Sequence, residues 1–379
     1  MTTRRVFIRQ LSVLGGLAIS ALPARLHGND EDSSNPAVLK YLNRIYHPER
    51  RRHAFRPENS GEFEAWQIRA RAELRRLLGL DRKPALNHDN PASVTLGEPV
   101  QRTGYSQRRG MITTEPGVSL PFWLLQPPGS GPFPLAVLPH GHNRYGYDNY
   151  AGIYRDEKSR QQSLAVDGNV AVQAVRNGFL AIAPATRGLS AGGVPDQFGR
   201  HGNRDCRSHL IHCLLAGRSP MGERVWDMER IIDWALQLPQ VDSGRKILMM
   251  GNSGGGMVTL YAAACDQRVK IAVTSCCFTT LVSPAGRVYH CDCNLVPGIL
   301  EFGELADVAG LIAPRHLLVV NGRQDKLHSV TDIGRATQAL QRIYDASGHD
   351  SRFQHHLAEG GHRFYASLMW PFVMAAVGA

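Results

Sequence analysis

A serine flanked by glycines is the most chemically suggestive feature of this chain. The apolar residues 247–250 lead directly into Gly251-Asn252-Ser253-Gly254-Gly255, and a helical pattern begins at Met257. A serine on a sharp strand-to-helix turn presents its hydroxyl above the sheet, and small flanking residues leave room for that turn. The N–H of Gly254, at the start of the helix, is then suited to stabilise an oxyanion. The pattern predicts Ser253 as a nucleophile and Gly254 as an oxyanion donor, whereas dinucleotide and phosphate-binding loops need other spacings.

A nucleophilic serine requires a histidine base and an acid that orients the histidine. Asp325 follows an apolar run that ends at Val320, and His362 lies in a glycine-containing loop near the end of the chain. The order Ser, Asp, His is one of the known chain orders for such residues. We predict Asp325 as the acid and His362 as the base, and we expect His355 and His356, within a strand pattern, to be structural.

An alternative acid position exists one strand earlier in the chain. Asp292 and Glu301 lie in the long connection that follows the apolar run 271–275. Either carboxylate is a competitor for the role of Asp325, although Cys291 and Cys293 indicate that this connection is structurally constrained.

A second oxyanion donor is expected in His140-Gly141-His142-Asn143, because this loop follows the apolar run 133–139. We predict that the backbone N–H of His142 is this donor. The alternatives are a loop-orienting hydrogen bond for His140 and a pocket wall for the His142 side chain. Arg187, after the next apolar run, is either a buried scaffold partner or a cation that contacts substrate.

Substrate preference rests on weaker signals. Tyr145 and three further tyrosines (Tyr147, Tyr150 and Tyr154) follow the oxyanion loop, and a long polar insertion spans 188–220. Aromatic rings with polar tips stack on sugars and hydrogen-bond to them. We therefore expect Tyr145 to contact a carbohydrate carrying an acyl group, with packing tyrosines in a general short-chain esterase as the alternative.

Short apolar runs alternate with helical stretches over most of the chain, which indicates an α/β protein with a mostly parallel central sheet and helices on both faces. Functional groups in such sheets lie in loops at the carboxyl ends of the strands. The runs are 133–139, 179–184, 246–251, 271–275, 316–320 and 353–357, and the helices around the serine are 225–238 and 255–265.

The part before these runs has a different pattern. We divide the chain into a segment 1–24, an N-terminal helical extension 25–93 and a catalytic domain 94–379. The extension contains a short helical pattern at 38–45 and a helix to about Leu80 opened by a capping box at 59–62. A hairpin is expected over 94–127, with its turn at Glu115-Pro116-Gly117.

Residues 1–24 have the anatomy of an export signal. Arg4, Arg5 and Arg9 precede an apolar stretch from Leu11 to Leu22 that is too short to span a bilayer. Thr3–Arg9 resembles the bacterial twin-arginine signal, which implies a periplasmic or secreted protein without a membrane span once the signal is removed. An ordinary signal or an uncleaved anchor is the alternative.

Composition excludes several classes of protein. The 379 residues are 43% hydrophobic and 20% charged, which excludes a disordered chain. The formal charge of +10 is scattered, without basic runs interleaved with aromatics, so a nucleic-acid partner is not expected. The sequence does not indicate an oligomeric state.

The cysteines suggest a disulfide or buried thiols rather than a metal site. The chain has seven cysteines, an odd number, in a protein predicted to reach an oxidising compartment. His290-Cys291-Asp292-Cys293 resembles half of a metal site, but no second Cys/His pair stands at zinc-ligand spacing. We therefore predict neither a metal nor another cofactor.

These motifs together resemble the α/β-hydrolase superfamily, in particular exported dienelactone-hydrolase-like and acetyl xylan esterase-like esterases. The resemblance spans about 130–365 and rests on His140–His142, Arg187-Gly188, Asp227, Gly251–Gly255, Gly322–Asp325 and Gly361-His362.

The resemblance implies an α/β-hydrolase fold and cofactor-free ester hydrolysis through Ser253, His362 and Asp325. Dienelactone hydrolase itself uses cysteine as the nucleophile, so Ser253 favours an esterase. The expected substrate is an acylated carbohydrate or a related small ester. A serine peptidase or amidase of the same fold, and a non-catalytic binding protein on a hydrolase scaffold, remain as alternatives.

Overall fold

The computed structural model describes residues 36–56, 61–87, 92–143, 145–189, 193–196, 198–200, 202–284 and 286–378. The predicted signal segment 1–24 lies outside these residues. Within them, ten strands form one sheet. The strands are β1 (Ser93–Leu96), β2 (Val100–Arg102), β3 (Tyr105–Glu115), β4 (Val118–Gln126), β5 (Leu135–Val137), β6 (Leu180–Pro184), β7 (Ile247–Asn252), β8 (Val269–Ser275), β9 (His316–Gly322) and β10 (Phe353–Ala358).

Helices cover both faces of this sheet. They are α1 (Pro36–Ile45), α2 (Phe63–Leu78), α3 (Lys83–Leu86), α4 (Gly146–Tyr150), α5 (Glu157–Ala165), α6 (Val170–Arg176), α7 (Asp205–Leu215), α8 (Pro220–Ala235), α9 (Gly254–Cys265), α10 (Ile299–Phe302), α11 (Leu305–Gly310), α12 (Val330–Ala346) and α13 (Ala366–Gly378). None of these helices, over the described ranges, is both long enough and apolar enough to cross a bilayer.

The sheet is mixed but mostly parallel, as predicted. Its strand order is β1-β3-β4-β6-β5-β7-β8-β9-β10, with β2 paired to β3. The first part is antiparallel and includes the predicted β3–β4 hairpin, whereas all pairs from β6 to β10 are parallel. The carboxyl ends of β5 to β10 therefore meet at one edge, which is where the predicted site loops begin.

Buried strands explain the short apolar runs. Successive side chains of a strand point to opposite faces of the sheet. Accordingly, Val137 and Met249 join the apolar cluster on the face covered by α8 and α9. Ala136 and Leu248 join the cluster on the other face, under α6 and α13. Because both faces are covered, the central strands need no polar alternation.

The helix predicted in the N-terminal extension packs into the main core. Leu74 of α2 is fully buried, and the Arg71 guanidinium donates to the carbonyls of Ala264 and Leu311. The helix begins at Phe63, and Glu62 at its N-cap makes no side-chain capping bond. The predicted capping box was therefore not found at Glu62, and its other members, Asn59 and Ser60, lie outside the described residues.

The polar insertion 188–220 contains helix α7, which the sequence analysis did not predict. Helix α8 then begins at Pro220 rather than Val225, because Ser219 caps it. The Ser219 hydroxyl accepts a hydrogen bond from the N–H of Gly222, and proline is favoured at the first helical position.

Candidate active site

Ser253 lies on a strained turn between β7 and α9. Its backbone adopts φ 56° and ψ −123°, a region that residues other than glycine rarely occupy. A Cβ at Gly251 would overlap the backbone of Gly255, and a Cβ at Gly255 would overlap the carbonyl of Pro139. The glycines are therefore required by close backbone approach, and the serine is held at the carboxyl edge of the sheet.

His362 and Asp325 are hydrogen-bonded to each other. The Nδ1 of His362 lies 2.7 Å from Oδ2 of Asp325, and Oδ1 of Asp325 accepts from the N–H of Leu327 at 3.0 Å. Asp325 is buried, which alone would raise its pKa. The hydrogen bonds from His362 and Leu327 outweigh burial and lower the pKa of Asp325 below its ordinary value, so the group is a carboxylate at neutral pH.

The two competing acids have other partners. Asp292 pairs with Arg207 at 2.5 Å and with Arg204 at 3.4 Å. Glu301 pairs with Arg52 at 2.5 Å near the surface. Among the described carboxylates weighed for this role, it is Asp325 that contacts His362.

The loop 140–143 packs directly against the serine turn. A Cβ on Gly141 would lie 3.0 Å from the nitrogen of Gly254 and 3.3 Å from the Cβ of Ser253. Over the described part of the chain, no backbone carbonyl accepts a hydrogen bond from the N–H of Gly254 or of His142. Two predicted oxyanion donors thus lie in adjoining segments beside the serine.

The buried ring of His140 holds the loop 140–143 in place through both of its nitrogens. Its Nε2 accepts a hydrogen bond from the N–H of Thr186 at 3.0 Å, and its Nδ1 lies 2.7 Å from the carbonyl of Gly141. Complete burial lowers the pKa of His140 to about 4, so the ring is neutral. This is the loop-orienting role that the sequence analysis named for His140.

Arg187 is a buried scaffold residue, and the expectation of a substrate contact is corrected. Its guanidinium bonds to Asp227, Glu115 and Glu223, in a cluster that also contains Lys83 and Arg218. Arg187 is only 7% exposed and does not line the cavity in front of Ser253. The carboxylates that neutralise it come from β3 and α8, which the sequence did not place next to Arg187.

A cavity of about 930 Å³ opens above Ser253 and is also lined by Gly254, His142, Tyr145 and His362. The structure therefore brings these five predicted residues to one space.

Tyr145 borders this cavity together with an arginine. The guanidinium of Arg155 stacks 4.8 Å from the centre of the Tyr145 ring and donates to its hydroxyl at 3.3 Å. Tyr150 lines the cavity too, whereas Tyr147 is buried as packing.

His328 and His290 line the same cavity, although no sequence motif predicted either histidine there and His290 was weighed only as a metal ligand. The Nδ1 of His328 is 3.9 Å from Oδ2 of Asp325 and has no hydrogen-bond partner among the described residues. The His290 and His328 rings are 5.7 Å apart. The position of His328, three residues after Asp325, was the available signal, but no motif marks it.

The cysteines contradict the argument used against a metal site. The structure has seven free thiols, six of them buried. The thiols of Cys206, Cys291 and Cys293 and the imidazole of His142 place ligand atoms within 4.8 Å of one another. A second Cys/His pair is present after all, but Cys206 comes from α7 and His142 from the loop after β5 rather than from a local motif.

The sheet order, the strained serine turn and the strand-end loops define the α/β-hydrolase fold. No protein-family model matches the chain. A structure described as a candidate acetyl xylan esterase from Bacteroides fragilis NCTC 9343 superposes with a TM-score of 0.65 at 18% identity, covering 88% of this chain and 85% of that one. The methylesterase BT1017 superposes with a TM-score of 0.61 at 21% identity, covering 90% of this chain and 66% of that one.

A sequence relative is the candidate hydrolase YtaP of Bacillus subtilis (strain 168), which is 26% identical over 138 residues. The match covers 36% of this chain and 46% of YtaP, so it spans about half the length of that relative. The two solved structures described above are both named as esterases.

Proposed function

We propose that the protein is a serine hydrolase that cleaves a carboxylic ester on a carbohydrate or related small molecule. The observation that carries this proposal is the hydrogen bond between His362 and Asp325 beside the cavity that Ser253 lines. The strained serine turn and the esterase names of the structural relatives support it.

In the proposed reaction Ser253 attacks the ester carbonyl while Nε2 of His362 removes the hydroxyl proton. Asp325 holds the imidazole with its proton on Nδ1 and stabilises the imidazolium that forms. The N–H groups of Gly254 and His142 stabilise the tetrahedral oxyanion. His362 then protonates the leaving alcohol, and water cleaves the acyl-enzyme by the same route.

The wall of the cavity supports a polar substrate. Tyr145 offers an aromatic face with a hydroxyl, and Arg155 stacks on it. Asn143 and Asn149 add hydrogen-bonding side chains to the same cavity. Such a wall suits the hydroxyl groups of a sugar better than a long acyl chain.

The test compares hydrolysis of p-nitrophenyl esters from acetate to octanoate with release of acetate from acetylated xylan, cleavage of a methyl ester of a sugar acid, and cleavage of an amide. We expect fast turnover of short esters and of one carbohydrate ester. Faster turnover of the amide would instead support a peptidase or amidase. Absence of all turnover and of fluorophosphonate labelling would support a binding protein.

We also propose export through the segment 1–24, on the basis of Arg4, Arg5 and the apolar stretch that follows them. The natural location would then be the periplasm or the outside of a bacterial cell.

A further inference from the structure

Three cysteines and one histidine from three separate segments of the chain converge beside the cavity. Cys206 lies in the first turn of α7, Cys291 and Cys293 lie in the connection after β8, and His142 lies in the loop after β5. Their ligand atoms are all within 4.8 Å of one another. His142 and Cys291 also line the cavity.

The separations fit coordination better than a disulfide. The Sγ atoms of Cys291 and Cys293 are 3.8 Å apart, and Nε2 of His142 is 3.1 Å from Sγ of Cys293. With zinc–sulfur bonds of about 2.3 Å, two ligands at a tetrahedral angle are about 3.8 Å apart. A disulfide would join only two of the three thiols, at about 2.05 Å, and would leave the third thiol and the imidazole unused.

A buried cation beside the cluster provides a second observation. Arg224 is fully buried and donates to the carbonyls of Arg187 and Cys293 and to Oδ1 of Asn294. Its Nη2 has no hydrogen-bond partner, and no carboxylate among the described residues forms an ion pair with it. A buried charge without a counter-charge is strongly unfavourable.

Coordination would supply that counter-charge. Three thiols that bind Zn²⁺ release three protons, and the centre formed by three thiolates, one neutral imidazole and Zn²⁺ carries a net charge of about −1. The carboxylate of Asp292 pairs with Arg207 and Arg204 and forms no ion pair with Arg224. Such a centre would balance the charge of the Arg224 guanidinium.

We propose that Cys206, Cys291, Cys293 and His142 bind one zinc ion in a closed, structural site. The ion would tie the loop after β5 to α7 and to the connection after β8. Since the proposed function assigns the backbone N–H of His142 to the oxyanion, the metal would also fix that donor. This last consequence rests on the proposed function, whereas metal binding does not.

The test measures metal content directly. The full chain, purified in reducing buffer from zinc-supplemented medium, should contain about one zinc per chain by inductively coupled plasma mass spectrometry. Cys206→Ser and Cys293→Ser should lose most of this zinc. Cys213→Ala is the matched control, because Cys213 is a buried thiol on the same helix α7 but outside the cluster, and it should retain the zinc.

If the serine variants fold poorly, the absorption spectrum of cobalt-loaded wild type tests metal binding without them. Wild-type protein stripped by a chelator and reloaded with Co²⁺ should show intense near-ultraviolet thiolate-to-cobalt absorption. Wild type purified without reductant that is metal-free and carries a disulfide from Cys206 to Cys291 or Cys293, located by peptide mapping, would overturn the proposal. Full zinc retention by both serine variants would overturn it as well.

Fluorophosphonate labelling of Ser253 separates this proposal from the proposed function. Labelled protein without zinc would contradict only the metal site. Zinc-loaded protein without labelling or turnover would contradict only the hydrolase.

Discussion

Nδ1 of His362 and Oδ2 of Asp325 lie 2.7 Å apart although 37 positions separate the residues in the chain. The pair forms because β9 and β10 are neighbouring parallel strands, so the loops after both strands leave the same edge of the sheet. An Nδ1–H that donates to the carboxylate leaves Nε2 as the free base. The hydrogen bond therefore sets the tautomer that the proposed proton abstraction from Ser253 requires.

Replacement of Asp325 by asparagine should abolish the preference for the imidazole tautomer with its proton on Nδ1. The amide favours the opposite tautomer, and kcat should fall by about 10⁴-fold, the loss known for the same change in another serine hydrolase. Steady-state kinetics on one p-nitrophenyl ester measures this. Asp292→Asn and Glu301→Gln are the controls and should change kcat by less than about tenfold. Normal turnover by Asp325→Asn would show that another group orients the base.

Replacement of Ser253 separates chemistry from strain. Ser253→Ala and Ser253→Gly should both abolish turnover and fluorophosphonate labelling. Because φ is 56° at this position, the glycine variant should be more stable than the alanine variant by about 1 kcal/mol. Urea denaturation measures the difference. Clear residual turnover in pure Ser253→Ala would disprove the nucleophile assignment.

Arg187 should matter for stability. Lysine cannot reproduce the guanidinium contacts to Asp227, Glu115 and Glu223, so Arg187→Lys leaves buried carboxylates poorly paired. Its free energy of unfolding should fall by roughly 3 kcal/mol. Tyr145→Ala, at the cavity, should instead raise KM for a carbohydrate ester with little change in melting temperature. The reverse pattern would restore Arg187 as a substrate contact.

The pKa of His140 predicts loss of stability in acid. This pKa is about 4 in the folded chain, and an unfolded histidine has a pKa of about 6.5. The unfolded chain therefore binds the proton first as the pH falls. The contribution of His140 to the free energy of unfolding is fully present above pH about 6.5. It declines as the pH falls toward about 4, by up to about 3 kcal/mol.

Urea denaturation at several pH values between neutrality and pH about 4.5 checks this decline. His140→Asn removes the titration but can still accept from Thr186, so its stability should fall less steeply. Burial also lowers the pKa values of His209 and His355. These two histidines should therefore maintain part of the dependence of the unfolding free energy on pH in the variant. An unchanged slope in His140→Asn would contradict the assignment.

Export should depend on the arginine pair at the N-terminus. Changing both Arg4 and Arg5 to lysine should leave the precursor in the cytoplasm, because the twin-arginine route requires the arginines. Cell fractionation followed by immunoblotting measures this. Changing Arg9 alone to lysine is the control and should leave export intact. Normal export of the double variant would indicate the general secretory route.

Local patterns in the sequence were sufficient for the central parallel strands and for the position of the serine turn. The runs that became β6 to β9 are buried on both faces, so their apolar character is almost continuous and bounded by turn residues. The edge strand β10 is mostly half-buried. Gly251 is required by its close approach to Gly255, four positions on, whereas Gly255 is required by the distant carbonyl of Pro139. The order Ser253, Asp325, His362 and the parallel strands then predicted that these loops share one edge.

Tertiary structure alone decided the roles that depend on distant partners. Arg187 follows β6 in a position that suits either a scaffold role or a contact with substrate. The carboxylates that pair with it come from β3 and α8, which are distant in the chain. His142, Cys206 and Cys293 show no ligand spacing along the chain, yet their ligand atoms lie within 4.8 Å of one another. Sequence patterns encode what neighbours a few positions apart require. A charge or a metal ligand obtains its partner from another element, and that choice is made when the sheet and its loops pack.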